Sequence, residues 1–161
     1  MPSRLVYLDA PVFLSYVNDD QDRAPTIEAI FDEGAKPGLQ LFTSELTIVE
    51  VAFGVVEQKS KLLDADTESR INNLWVPGSP ISLIEYYRLI GEDAKELMRL
   101  AITKGWSLKP LDAIHLSTAR RMEVQEFHTY DDKLYKYSND VGFVICEPYT
   151  QAPKLDLRTG C

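Results

Sequence analysis

Leu5-Val6-Tyr7-Leu8-Asp9, followed by Ala10-Pro11, is the stretch from which the fold of this chain reads outward. Four apolar residues rich in β-formers predict a short buried strand. Pro11 lacks the N–H that a ladder needs and suits the first turn of a helix. Asp9 therefore stands where a strand stops and a helix starts. In open α/β sheets, ligands bind at the carboxyl ends of the strands. The plain alternative is that Asp9 only caps the helix behind it. The stretch by itself leaves both readings open.

The same alternation runs down the chain. Residues 12–17 predict a short helix and 18–22 a polar loop. Ile27, Ile30 and Phe31 sit at helical spacing in a helix over 26–35, which Gly34 and Pro37-Gly38 end. Residues 39–43 predict a second strand. Ser44 then starts a helix expected to reach about residue 60. Its middle, from Ile48 to Val56, is apolar except for Glu50 and Gly54, and so reads as buried. Further helices are expected over 67–74, 86–104 and from Pro110 onward. Strands are expected over 81–84, 126–130 and 141–145. Strands alternating with helices predict a three-layer α/β sandwich, with a central, mostly parallel sheet of four to five strands flanked by helices. Residues 1–147 read as one domain and 148–161 as an extended tail.

Composition narrows the function classes. The chain has 161 residues, 45% hydrophobic and 26% charged, which fits one globular domain. No apolar run is long enough to span a bilayer. No signal-peptide pattern precedes the first strand, and a reduced, cytoplasmic protein is expected. Cys146 and Cys161, with His115 and His128, make no zinc spacing and no disulfide framework. The net charge of −8 argues against non-specific nucleic-acid binding, which needs Lys and Arg on phosphate. Acid is concentrated before residue 95, and the stretch over 95–136 carries a slight basic excess that includes Lys109, Arg120 and Arg121.

Four carboxylates stand out by position. Asp9 and Asp131 each follow a predicted strand. Asp112 lies in the first turn of the helix that Pro110 opens. Glu50 lies inside the apolar helix, where an unpaired carboxylate costs several kcal/mol. Each has a local alternative: caps for Asp9 and Asp131, the helix dipole for Asp112, and a Thr47-x-x-Glu50 capping box for Glu50. His115 reads as a core histidine with a hydrogen bond rather than a ligand. Converging at one sheet edge, the four acids would suit Mg²⁺ or Mn²⁺, which prefer oxygen ligands and serve displacement at phosphorus. Without a cation, such acids repel and raise one another's pKa.

Tyr-Leu-Asp9, Thr43-Ser-Glu-Leu-Thr-Ile-Val-Glu50, Pro110-Leu-Asp112-Ala-Ile-His-Leu-Ser-Thr-Ala119 and His128-Thr-Tyr-Asp131 resemble, in order and spacing, the motifs of PIN-domain ribonucleases. The likeness is greatest to the VapC-type toxins of toxin–antitoxin pairs. It implies metal-dependent hydrolysis of RNA phosphodiesters at Asp9, Glu50, Asp112 and Asp131, holding Mg²⁺ or Mn²⁺. Thr129 matches a hydroxyl residue beside the last acid, and Asp132 is the fallback for that acid. Thr129 and Lys109 are the candidates for holding the RNA substrate. The implied partners are an RNA substrate, a small antitoxin covering the acidic site, and a second copy of the chain.

One departure bears on catalysis. Where the family usually has Thr or Ser and then a small polar residue after the first Asp, this chain has Ala10 and Pro11. Polar support of this kind is worth roughly 10–100-fold in metal affinity or activity. The alternative reading is therefore a PIN-like protein-binding module with weak or no catalysis. A phosphohydrolase with Asp9 as covalent nucleophile wants a second Asp at position 11, where Pro11 stands.

Overall fold

A computed structural model describes residues 3–151. The first strand, β1 (Arg4–Leu8), ends one residue before α1 (Ala10–Val17), with Pro11 in that helix's first turn. Then follow α2 (Ala24–Gly34), β2 (Leu39–Ser44), α3 (Leu46–Glu50), α4 (Val55–Ser60), α5 (Ala65–Trp75) and β3 (Ile81–Ile84). The second half holds α6 (Arg88–Thr103), α7 (Pro110–Arg121), β4 (Glu126–His128), a 3-10 turn (Asp132–Tyr137), α8 (Ser138–Val141) and β5 (Val144–Cys146).

The five strands form one wholly parallel sheet in the order β3-β2-β1-β4-β5. β1 lies at its centre, with Tyr7 opposite Phe42 on one side and Phe127 on the other. Because side chains alternate along a strand, β1 feeds two cores. Tyr7 joins Phe127, Leu116 and Leu97 under α6 and α7. Val6 and Leu8 join Phe13, Ile27 and Ile30 under α1 and α2. This is the expected three-layer α/β sandwich. No helix among the described residues is long and apolar enough to cross a membrane.

The helix expected over 44–60 is two helices. Val51 leaves helical geometry at φ −109°, ψ 35°. Glu57 then reaches back to accept the Gly54 N–H at 3.2 Å, and its other oxygen takes the Asp64 N–H at 2.9 Å. Asn18 Oδ1 accepts the Val55 N–H at 2.9 Å. These bonds begin a new helix at Gly54, where a Cβ would lie 2.7 Å from Thr67 Cγ2. The apolar run is also not buried as expected. Val51 is enclosed, but Val49 is 76% exposed, Val56 61% and Phe53 51%. The run forms a surface patch, continued by Leu62 and Leu63.

Other differences lie at boundaries. Val141-Gly142, expected to open the last strand, instead ends α8, with Gly142 in the left-handed region at φ 84°. Residues 147–151 are neither helix nor strand, and the rest of the expected tail, with Cys161, lies outside the described residues.

Candidate active site

The cap reading of Asp9 holds, and the residue also stands at the sheet edge where a ligand site was expected. It caps α1, its Oδ1 accepting the Ala10 N–H at 3.0 Å, and it is 2% exposed at the carboxyl end of the central strand. Its Oδ2 accepts a hydrogen bond from Thr129 Oγ1 at 2.8 Å. Thr129 is wholly buried just past β4, and its Oγ1 also accepts the Asp131 N–H at 3.1 Å. One hydroxyl thus ties the two strand-end acids together. It also supplies, from across the sheet, the polar support for Asp9 that Ala10-Pro11 does not. Asp131 in turn caps the 3-10 turn, its Oδ1 accepting the Lys133 N–H at 3.1 Å. Asp132 is the first residue of that turn.

Glu50 is the last residue of α3, and its Oε1 takes a hydrogen bond from His115 Nε2 at 2.8 Å. The Thr47 capping box does not form. Thr47 Oγ1 instead bonds Thr43 Oγ1 at 2.7 Å, and Thr43 donates to the Leu8 carbonyl at 2.8 Å. The start of α3 is thereby fastened to the end of β1, which sets where Glu50 lies relative to Asp9.

His115, on α7 one turn after Asp112, is 1% exposed and is the residue to which sequence reasoning gave too small a part. Its Nδ1 meets Tyr7 Oη at 2.6 Å, and its Nε2 lies 3.9 Å from Asp9 Oδ1. Tyr7 Oη accepts the Ser44 N–H at 3.0 Å, and the Glu50 carboxylate on Nε2 can only accept, which in the neutral ring leaves Nδ1 to accept the phenol proton. Neutral His115 therefore carries its proton on Nε2 and donates it to Glu50. The i,i+3 spacing of Asp112 and His115, which puts both on one helix face, was the available signal.

The electrostatics are those of a crowded acidic pocket. Burial pushes the Asp9 carboxyl up; His115, Thr129 and the Ala10 N–H oppose this, and Glu50 adds to it. Asp112 is raised by burial and then by the charges of Asp9 and Asp131, against His115 and Lys109. Burial alone would lower the His115 pKa, but the Glu50 hydrogen bond and the charge of Asp9 outweigh it and the net shift is upward. Asp112 thus feels both Asp9 and Asp131, with His115 and Lys109 as its nearby positive groups. An all-oxygen donor set short of positive charge fits a hard divalent cation. The acids are not drawn into one tight knot, since Glu50 is turned to His115 and Asp131 to its own turn. Among the described residues, the single group with three potential ligand atoms within 4.8 Å of one another is Glu126, His128 and Cys146.

Of the basic candidates, Lys109 precedes α7 close enough to affect Asp112. Arg121 is at the opposite end of α7, tied to Asp93 at 2.6 and 3.1 Å.

A family model described as the PIN domain matches residues 6–140. No curated protein matches this chain by sequence. Among solved structures, VapBC2 from Rickettsia felis bound to a DNA fragment from their promoter is 17% identical, with a TM-score of 0.67, covering 91% of this chain and 99% of that one. The Mycobacterium tuberculosis toxin VapC20, described as cleaving the sarcin-ricin loop, is 16% identical, with a TM-score of 0.61 and coverage of 86% and 96%. A toxin–antitoxin complex from Klebsiella pneumoniae is 19% identical, with a TM-score of 0.55 and coverage of 89% and 98%. At these identities the likeness is one of fold.

Proposed function

This chain belongs to the PIN-domain family, and from that premise we propose that it is a Mg²⁺- or Mn²⁺-dependent endoribonuclease, the toxin of a toxin–antitoxin pair. The observation that carries the proposal is the tie that Thr129 Oγ1 makes between the Asp9 carboxylate and the Asp131 N–H, with Asp112 near enough for both their charges to raise its pKa. Asp9, Asp112, Asp131 and Glu50 are the residues to hold the ion. A bound divalent cation supplies Lewis acidity for hydrolytic displacement at phosphorus.

The chain's own residues do the rest. Thr129 keeps Asp9 oriented and Asp131 beside it. The proton on His115 Nε2 holds Glu50 at the pocket wall. Lys109 places positive charge beside Asp112, where a phosphate backbone would arrive. The net charge of −8 disfavours indiscriminate RNA binding and favours a structured target.

The partner we assign is a small antitoxin. Solved structures of similar fold include one named as a toxin–antitoxin complex. The exposed Ile48, Val49, Phe53 and Val56 beside Glu50 offer it an apolar landing next to the acids. We assign a cytoplasmic location and a second copy of the chain on the same reading.

The test is cleavage of a panel of structured RNAs, one carrying the sarcin–ricin loop, with and without Mg²⁺ or Mn²⁺. Cleavage that needs the ion and is lost in a folded Asp112→Asn protein is the expected result. If no RNA is cut and no divalent ion binds the pocket, the alternative of a non-catalytic protein-binding module replaces this reading.

A further inference from the structure

The group Glu126, His128 and Cys146 lies on the sheet, apart from the acidic quartet. Glu126 and His128 are two apart on β4 and share a face, and Cys146 on β5 is the register partner of His128. The parallel pairing brings side by side a histidine and a cysteine that linear spacing does not relate. One carboxylate oxygen, one ring nitrogen and the thiol sulfur all lie within 4.8 Å of one another.

Two further observations bear on what this cluster is for. His128 is 1% exposed; its Nε2 lies 3.3 Å from Glu126 Oε1, while its buried Nδ1 has no hydrogen-bond partner and is the nitrogen left for another ligand. A buried polar atom left in this state costs about 1–3 kcal/mol, so the ring is short of a partner as it stands. The cluster is also covered from outside: the Tyr149 ring packs on His128 with centroids 5.2 Å apart, and Tyr149 Oη donates to Glu126 Oε1.

We propose that Glu126, His128 and Cys146 form a second metal site, for a thiophilic divalent ion of the zinc type. Thiolate with imidazole and carboxylate is a zinc donor set and a poor one for Mg²⁺. Zinc bonds of about 2.0–2.3 Å bring tetrahedral ligands to about 3.3–3.8 Å apart, so the three atoms contract by about 1.5 Å at most to close on an ion. The charges balance. Zn²⁺ with one thiolate and one carboxylate is neutral, and Arg4, which bonds Glu126 Oε2 at 2.5 Å and Oε1 at 3.2 Å, also faces Glu33 at 3.9 Å. Arg4 and Tyr149 then fix the carboxylate from outside, as partners of a metal ligand usually do. Bound there, the ion joins β4, β5 and the strap over 147–151, one residue ahead of Thr129.

The test uses the full chain with Cys161→Ser, which leaves Cys146 the sole thiol. Co²⁺ added to the stripped protein is expected to give a sulfur-to-cobalt charge-transfer band, saturating at one ion per chain and displaced by Zn²⁺. Ions held by carboxylates alone give no such band. Adding Cys146→Ser should abolish it, and His128→Gln should weaken Co²⁺ binding by more than the roughly 10–100-fold that loss of an outer partner causes. No band in the parent, or a band that survives Cys146→Ser, overturns the proposal. If the serine variant fails to fold, alkylation of Cys146 in the parent decides. Zn²⁺ should slow it at least tenfold, and an unchanged rate overturns the site.

Discussion

Replacing Thr129 by valine keeps the shape of the side chain and removes one oxygen. That oxygen donates to Asp9 Oδ2 and accepts the Asp131 N–H. A hydrogen bond to a charged acceptor contributes about 1.5–3 kcal/mol, and stranding an N–H that is partly open to water costs about 1 kcal/mol. Thr129→Val should therefore lose about 3 kcal/mol, which for a domain of this size lowers Tm by about 6–12 °C. The Thr129 bond also holds the Asp9 carboxyl down against burial, so its loss drives that pKa further up. With a folded pKa above the unfolded one, Asp9 makes stability fall as pH rises through that interval, and the variant extends the interval upward. Divalent-ion affinity should drop about 10–100-fold, and Thr129→Ser should restore both properties. Thermal melts with and without Mn²⁺, across pH, read all of this. A valine variant that melts with wild type and binds Mn²⁺ equally well refutes the role given to this hydroxyl.

Three more outcomes are expected. In metal-free protein, the raised pKa of His115 contributes stability that is complete below about 6.5 and is lost as pH rises through the folded value. Urea titrations of His115→Gln should lack that alkaline decline, and a wild-type slope in the variant argues against the His115–Glu50 contact. Gly54→Ala puts a methyl 2.7 Å from Thr67 Cγ2 and 3.2 Å from Asn18 Oδ1, and should cost about 1–3 kcal/mol in equilibrium unfolding; a neutral effect means that this loop yields. Val49→Asp alters a residue 76% exposed, so unfolding should shift by no more than about 0.5 kcal/mol. Calorimetry should show antitoxin affinity falling about tenfold or more if the patch is its landing, and unchanged binding places the partner elsewhere.

The framework was legible because it is written locally. Leu5 to Leu8 and Pro11 announce a strand and a helix within one window, and Pro110 announces α7. The alternation that follows leaves one economical topology. The acids at strand ends and in a helix's first turn are visible for the same reason. What escaped depends on distant partners. The break after Val51 comes from Asn18, Glu57 and Asp64 acting on Gly54 and Val55, and a helical apolar pattern carries no trace of them. That pattern also cannot distinguish a face buried in its own core from one left at the surface. Thr129 and His115 gain their meaning from Asp9, Glu50 and Tyr7, and such pairings exist only once the sheet has closed. Ala10-Pro11 read as a missing support because the replacement stands just past the neighbouring strand, at Thr129.

The all-parallel sheet also has a consequence in time. β1, at the centre, is made first, but its neighbour β4 is separated from it by most of the chain, and the Thr129–Asp9 bond closes over that whole span. Such pairings pay their loop entropy before any contact returns it, and they form late. Asp9 and Glu50 can meet once β1 and β2 pair, but Asp131 and the Thr129 support of Asp9 arrive only with β4. A nuclease of the kind proposed would thereby stay without its finished pocket until β4 has found β1.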